Sequence, residues 1–295
     1  MTQTERVIKH LKEYGSITPL EAIREYGITR LGARIWDLRD LGYDIETQTE
    51  TSKNRFGEKT SYAKYVLKGG QKMNLYQDTE KFSVEKYGSH EEWLKKRGRG
   101  IGGSDAACFM DLNPWKTLNQ LWHDKKFGSQ KITNDAIEYG NTAEPCLRTL
   151  FQAKHPELDV QYVDNVTLVS KEYDFLRYSP DGLIYNKETG ERGILEIKTS
   201  KIINSQSLQK WGSKGNETVP DNYYCQTLEG LIVTDFDFVI YCAELRFADG
   251  DARIIERSYR KEEALDSMND LKQAMIEKWD RYFIGDVEPP ITLSI

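Results

Sequence analysis

Ser179-Pro180-Asp181-Gly182 and, one apparent hairpin later, Leu195-Glu196-Ile197-Lys198 are the stretches on which the reading of this chain turns. Asn186-Lys187-Glu188-Thr189-Gly190 between them is turn chemistry, which lets a strand over Gly182–Tyr185 fold back beside one over Ile194–Thr199. In the second strand side chains alternate. Glu196 and Lys198 therefore share one face, while Leu195, Ile197 and Thr199 share the other. The hairpin brings Asp181 close to that pair. Two carboxylates so placed repel unless a hard cation lies between them, and Mg²⁺ takes carboxylate oxygens together with water. A lysine beside such an ion can orient, or help deprotonate, a water for attack on phosphorus. The outline is that of a metal-dependent nuclease site. Taken alone, the same residues also suit a cross-strand charge pair on a solvated sheet face.

Acid-x-lysine recurs at Asp124-Lys126 and Asp270-Lys272, but in segments that read as helices, where that spacing puts the two side chains on different faces. Only the copy at Glu196 has an apolar strand around it and an aspartate at hairpin distance.

The chain has 295 residues, room for one large domain and one small one. Its 17 Tyr and 6 Trp and the lack of low-complexity tracts argue for a folded protein. No apolar run reaches the length of a membrane-spanning helix and the N-terminus has no signal-peptide core, so a soluble, cytoplasmic protein with no membrane partner is expected. The four cysteines stand singly, without a C-x-x-C pair, and are expected to be reduced and to fill core positions. The net charge of −6 is uneven. Residues 1–70 carry 12 basic against 10 acidic side chains, and the remainder 29 against 37. An acidic body with local basic patches is compatible with a nuclease, whose metal ligands are themselves acidic.

The first 45 residues predict three helices. They run over Thr4–Tyr14, from the Thr18-Pro19-Leu20-Glu21 capping box to Tyr26, and from a Thr29 cap to Gly42. Strands over Tyr43–Thr47 and Tyr62–Leu67 then flank a polar loop with Lys53, Arg55 and Lys59. This is the plan of a winged helix-turn-helix domain whose third helix would present Arg30 and Arg34 to nucleic acid. A small protein-interaction module with solvated charges has the same outline. The expected division is a DNA-binding domain over 1–70, a linker over 71–84 and a catalytic domain over 85–295. For the last, the pattern predicts helices over Glu91–Lys96, Asp105–Met110, Leu118–Lys126 and Asn134–Lys154, with Pro145 marking a break or a new first turn. Strands follow over Val160–Leu168, Gly182–Tyr185 and Ile194–Ser200. After a helix over Asn222–Ile232 come strands over Phe236–Leu245 and Ile254–Tyr259, then a final helix. The fold class is α+β with a mixed sheet.

Arg97-Gly98-Arg99-Gly100-Ile101-Gly102-Gly103-Ser104-Asp105 forms a second constellation. Its glycines permit close backbone approach to a ligand, Ser104 is placed to cap a helix whose N-terminus attracts anions, and Arg97 and Arg99 add fixed positive charge with bidentate geometry for phosphate.

With Gly140-Asn141-Thr142-Ala143-Glu144-Pro145 and Tyr223-Tyr224-Cys225-Gln226 added in the same order, residues 90–245 resemble the YqaJ-like viral recombinases. This is the phage lambda exonuclease-like group of the PD-(D/E)XK nuclease superfamily. The resemblance implies a core with a central mixed sheet flanked by helices. It implies that Asp181, Glu196, Glu144 and the Ile197 carbonyl hold Mg²⁺, or Mn²⁺, and that Lys198 is catalytic. It implies that Gln226 and Tyr223 line the site and that Arg97 and Ser104 take the 5′-phosphate of the digested strand. The activity implied is 5′→3′ exonucleolysis from double-stranded DNA ends, leaving 3′ overhangs for a single-strand annealing protein, with a homo-oligomeric ring around the DNA. A structure-specific or restriction-like endonuclease would use the same catalytic atoms. A catalytically idle DNA-binding regulator would suit the N-terminal domain but not the intact acid–acid–lysine set.

Overall fold

The computed structural model describes residues 1–71, 73–128, 134–213 and 215–292, and these divide into two compact units, Met1–Asn74 and Leu75–Ile295.

In the first unit three helices, α1 (Gln3–Tyr14), α2 (Pro19–Tyr26) and α3 (Leu31–Asp40), accompany strands β1 (Ser16–Ile17), β2 (Tyr43–Lys53) and β3 (Lys59–Gln71). Thr2 and Thr18 both close capping boxes, and Gly15 and Gly27 end their helices with positive φ. Val7, Leu11, Ile35 and Leu38 bury one helical face each and meet in a core with Ile17, Ile28 and Ile45. The sheet order is β1-β3-β2, with β2 and β3 antiparallel as a long wing. The wing strands are longer than the sequence pattern predicts, because alternating Thr and Gln residues carry no apolar period and the ladder alone holds them. Arg30, not Thr29, stands at the start of α3, and its side chain makes no cap.

The second unit opens earlier than expected. Leu75, Tyr76 and Phe82 are buried in its core, so most of the region read as a linker over 71–84 belongs to the folded body. Strand β4 (Phe82–Lys86) is followed by α4 (His90–Arg97), the short β5 (Ile101–Gly102), α5 (Gly103–Phe109), α6 (Leu118–Phe127) and α7 (Asp135–Lys154). Helix α7 is capped by the Asn134 side chain and runs through Pro145 without the expected break. Next come β6 (Leu158–Gln161), β7 (Val166–Ser170), β8 (Leu176–Tyr178), β9 (Gly182–Asn186) and β10 (Arg192–Ile202). A helix α8 (Ser205–Gln209), a small ribbon of β11 (Gly212–Ser213) and β12 (Asn216–Glu217), α9 (Asp221–Thr234), β13 (Phe238–Phe247), β14 (Ala252–Arg260) and α10 (Leu265–Lys278) complete the order.

The stretch read as one strand over Val160–Leu168 is two strands in two different sheets. The first strand stops at Gln161, and Asn165, directly before the second, lies at φ 53, a left-handed conformation that asparagine tolerates. The larger sheet has the order β14-β13-β10-β9-β6, parallel between β10 and β13 and antiparallel elsewhere. The smaller has the order β4-β7-β8-β5. Fold class and mixed sheet are therefore as expected. Side-chain alternation along β10 sets two cores. Leu195 and Ile197 pack with Leu147 and Phe151 of α7, while Ile194 packs with Leu228 and Leu231 of α9. Each fully buried Leu or Ile contributes about 1.5–3 kcal/mol, so β10 is clamped from both faces. Cys108, Cys225 and Cys242 are buried as free thiols, whereas Cys146 is exposed, contrary to the expectation that all four fill core positions.

Candidate active site

β9 and β10 pair from Arg192↔Tyr185 to Leu195↔Gly182, and there the ladder ends. One residue beyond it, Asp181 replaces the missing partner: its Oδ2 accepts from the Ile197 N–H at 2.8 Å. A residue's N–H and C=O leave a strand on the same side, so the Ile197 carbonyl also faces Asp181. The Asp181 carbonyl in turn accepts from Arg148 Nε at 2.6 Å.

Glu196 faces α9 and is wholly buried. Its Oε2 accepts from the Tyr178 hydroxyl at 2.7 Å, and its Oε1 accepts from Lys198 Nζ and Gln226 Nε2. The Lys198 ammonium also lies 3.9 Å from Asp181 Oδ2 and 5.2 Å from the centre of the Tyr223 ring. Burial works against its charge, but the Glu196 and Asp181 carboxylates outweigh that and hold its pKa above the ordinary lysine value. Lys198 is thus held as a cation beside the two acids, where it is placed to orient an anion or a water. Burial and the Asp181 charge push the Glu196 carboxyl up to about 7.

Glu144 reaches the site from α7. Burial and then Asp181 push it, too, up to about 7, against the pull of Arg148, which donates to its Oε1. Arg148 is itself stacked 3.5 Å from the centre of the Tyr162 ring. Asp181 is therefore the shared neighbour of two strained carboxyls, one on each side of the sheet. Among the described residues no three acids, imidazoles or thiols converge closely enough to hold an ion as they stand. The donor set is nonetheless hard and anionic, and the Asp181 charge that adds to burial in raising its carboxyl pKa values is one a divalent cation offsets. On that chemistry the residues fit Mg²⁺ or Mn²⁺.

A second cluster holds Arg97 and Ser104. Arg97 donates to Ser104 Oγ at 2.8 Å and lies 5.0 Å from the centre of the Trp93 ring. Trp93 Nε1 in turn donates to Ser179 Oγ at 3.3 Å, two residues before Asp181. Lys125 Nζ stands 2.9 Å from Asp105 Oδ2. With Arg97 it keeps that carboxyl below its usual range in spite of burial. Two expectations change here. Gly102, not Ser104, is the N-cap of α5, a helix of 7 residues, so Ser104 lies inside the first turn with its side chain exposed and does not cap. The glycines serve packing more than ligand access. A Cβ on Gly100 would stand 2.3 Å from the Phe175 carbonyl, and one on Gly103 2.9 Å from Gln226 Cγ.

In the first unit Arg30 is exposed and forms no ion pair among the described residues. Arg34 is already engaged, by Asp37 at 2.7 Å and by Gln3 at 3.3 Å. Sequence reasoning missed Tyr178, Arg148 and Trp93. Arg148 had a legible signal, its i,i+4 spacing from Glu144. Tyr178 had none, since its partner Glu196 lies on another strand.

Residues 92–237 match the family described as the YqaJ-like viral recombinase domain, and residues 2–69 the winged helix-turn-helix domain family. The uncharacterized protein YqaJ of Bacillus subtilis (strain 168) is 29% identical over 206 residues, which cover 69% of this chain and 59% of that protein. The match thus spans less than two thirds of that relative's length. Among solved structures, an alkaline exonuclease (LHK-Exo) from Laribacter hongkongensis is 18% identical with a TM-score of 0.45, over 66% of this chain and 97% of that one. Its complex with dAMP gives a TM-score of 0.43 at 18% identity, over 67% and 100% of the two chains. A phage related exonuclease from Haemophilus somnus 129PT is 13% identical with a TM-score of 0.37, over 69% and 92%.

Proposed function

Since this chain carries a YqaJ-like viral recombinase domain behind a winged helix-turn-helix domain, we propose that it is a metal-dependent 5′→3′ exonuclease on linear double-stranded DNA. It would leave 3′ overhangs for a single-strand annealing protein in the host cytoplasm during phage-type recombination, and would work as a homo-oligomeric ring on DNA ends. The observation that carries this reading is the buried Glu196–Lys198 pair, held against Asp181 at the point where the β9–β10 ladder stops.

Asp181, Glu196, Glu144 and the Ile197 carbonyl would hold the ion. When bound, a divalent cation neutralises charge on the scissile phosphate and lowers the pKa of a water. Lys198 donates its N–H groups to a phosphate oxygen or to the attacking water, and its position is kept by Glu196 and the Tyr223 ring. Gln226 and Tyr178 fix the Glu196 carboxylate, so that neither it nor the lysine has to reorganise during reaction. Arg97 and Ser104 offer a guanidinium and a hydroxyl to the terminal 5′-phosphate. Trp93 links that corner to the Ser179–Asp181 turn and so keeps the distance from end to scissile bond constant. Phosphoryl transfer needs little covalent help, and positioning of this kind supplies much of its rate.

The test is digestion of linear duplexes labelled at either end, with Mg²⁺ or Mn²⁺, beside a covalently closed circle. Release of 5′ label from the linear DNA with the circle intact supports the reading. Cleavage of the circle would make the protein an endonuclease, and inertness with either metal would leave a DNA-binding regulator.

A further inference from the structure

Near the Arg97–Ser104 corner lies a carboxyl group that the proposed chemistry does not use. Glu229 sits on α9, one turn beyond Gln226, and is wholly buried. Neither of its oxygens has a partner in ordinary hydrogen-bond geometry among the described residues, and only the Arg177 main-chain N–H is near enough to favour its charge. That replaces little of the water a carboxylate would lose, so the neutral acid is the favoured form. Helix α9 lies hard against α5, as the close approach of Gly103 and Gln226 shows.

The charges that act on Glu229 come from four elements. Asp105 on α5 opposes ionisation, while the Arg177 main-chain N–H on β8, Lys125 on α6 and Arg97 on α4 favour it. Burial first and Asp105 second prevail, and the proton is held well above the ordinary carboxylate range. The Arg177 guanidinium beside Gly100 is paired with Glu85 at 2.9 Å and adds no net charge. Of the charges that act on Glu229, Arg97 and Lys125 bring two positive and Asp105 one negative. The surplus is one positive charge while Glu229 is neutral, and none once it ionises.

We propose that Glu229 is a positioning residue for end recognition: as the neutral acid it leaves the Arg97–Ser104–Lys125 corner the positive surplus that a terminal phosphate dianion takes up. The proposal rests on the reading of that corner as the end pocket. Linkage makes it reciprocal. An anion in the corner strengthens the hold of Glu229 on its proton, and loss of that proton weakens the hold on the anion.

The experiment uses the full chain with a chelator, so that ends bind without being cut, and duplexes bearing a 5′-phosphate or a 5′-hydroxyl. Affinity for each is measured from neutral to alkaline pH in wild type and in Glu229→Gln, which keeps the shape and cannot ionise. A terminal phosphate loses its second proton near pH 6, so the probe's own charge is constant across the range. In wild type the preference for the phosphorylated end should fall by roughly tenfold as pH rises, the worth of about one pKa unit of interaction. In Glu229→Gln it should stay constant. Should that variant not fold, Glu229→Met replaces it, and proton uptake by wild type on binding phosphorylated ends provides the same readout. Coincident pH profiles for wild type and variant would overturn the role of Glu229 alone. Absence of any phosphate preference at every pH would remove the end pocket, and this proposal with it.

Discussion

The Tyr178 hydroxyl donates to Glu196 Oε2 at 2.7 Å, with both residues wholly excluded from solvent. β8 of the smaller sheet thereby reaches the charged residue of β10 in the larger one and fixes its rotamer. Tyr178→Phe should leave a buried carboxyl oxygen unsatisfied and destabilise the fold by about 1–3 kcal/mol. It should also lower activity at limiting divalent ion more than at saturation, because Glu196 loses a donor that favours its charged form. Thermal unfolding with a Mg²⁺ titration of rate checks both; an unchanged titration midpoint would make the tyrosine purely structural.

Asp181→Ala, Glu196→Ala and Lys198→Ala should each reduce digestion of linear DNA by about 10²-fold or more, the scale on which loss of one electrostatic contact acts in a dry site. Stability should separate them. Glu196→Ala strands a buried ammonium and should destabilise by about 3–5 kcal/mol, whereas Lys198→Met removes charge and keeps volume. Near-normal turnover in either would remove the catalytic assignment.

Removal of divalent ions should make stability fall as pH rises from about 4.5 to about 7. Glu144 and Glu196 are pushed up to about 7 from an ordinary value of 4.5. In that window the folded state binds more protons than the unfolded one, so folding weakens with each proton lost. Below it both states are protonated, and above it the loss is complete. Chemical denaturation across this range with a chelator measures the slope, and saturating Mg²⁺ should flatten it. A slope unaffected by Mg²⁺ would count against these acids as ligands.

Arg97→Ala should erase the advantage of 5′-phosphorylated over 5′-hydroxyl ends while leaving the metal dependence in place. Initial rates on the two substrates decide it; equal rates in the wild type would end the pocket reading without touching the nuclease one.

The two units should separate. A chain beginning at Leu75 should retain metal-dependent activity, because Asp181, Glu196, Lys198, Glu144, Arg97 and Ser104 all follow that point. Residues 1–74 should bind duplex DNA through Arg30, Lys53, Arg55 and Lys59, with a log–log salt slope of roughly −3 to −4 for that number of phosphate contacts. Arg34→Gln should leave the slope unchanged, since Arg34 is paired with Asp37. A flat salt response would assign this unit to a protein partner.

The sequence by itself determined the α+β class, the winged unit and the acid–acid–lysine hairpin. Each rests on information local in the chain: capping residues, a two-residue alternation and a turn with glycine at its end. It could not show that Asp181 continues a ladder that β9 has abandoned, since that depends on register. It placed a linker across Leu75, Tyr76 and Phe82, where the apolar content is too sparse to signal a core that distant segments complete. It made Ser104 a cap, because the start of α5 is not written in neighbouring residues. Burial decided the rest. Glu196 and Glu229 are both glutamates in amphipathic surroundings by sequence. Only tertiary packing gives one a lysine, a tyrosine and a glutamine and leaves the other, among the described residues, with no side-chain donor, and in a low-dielectric interior that difference sets which of them can carry charge.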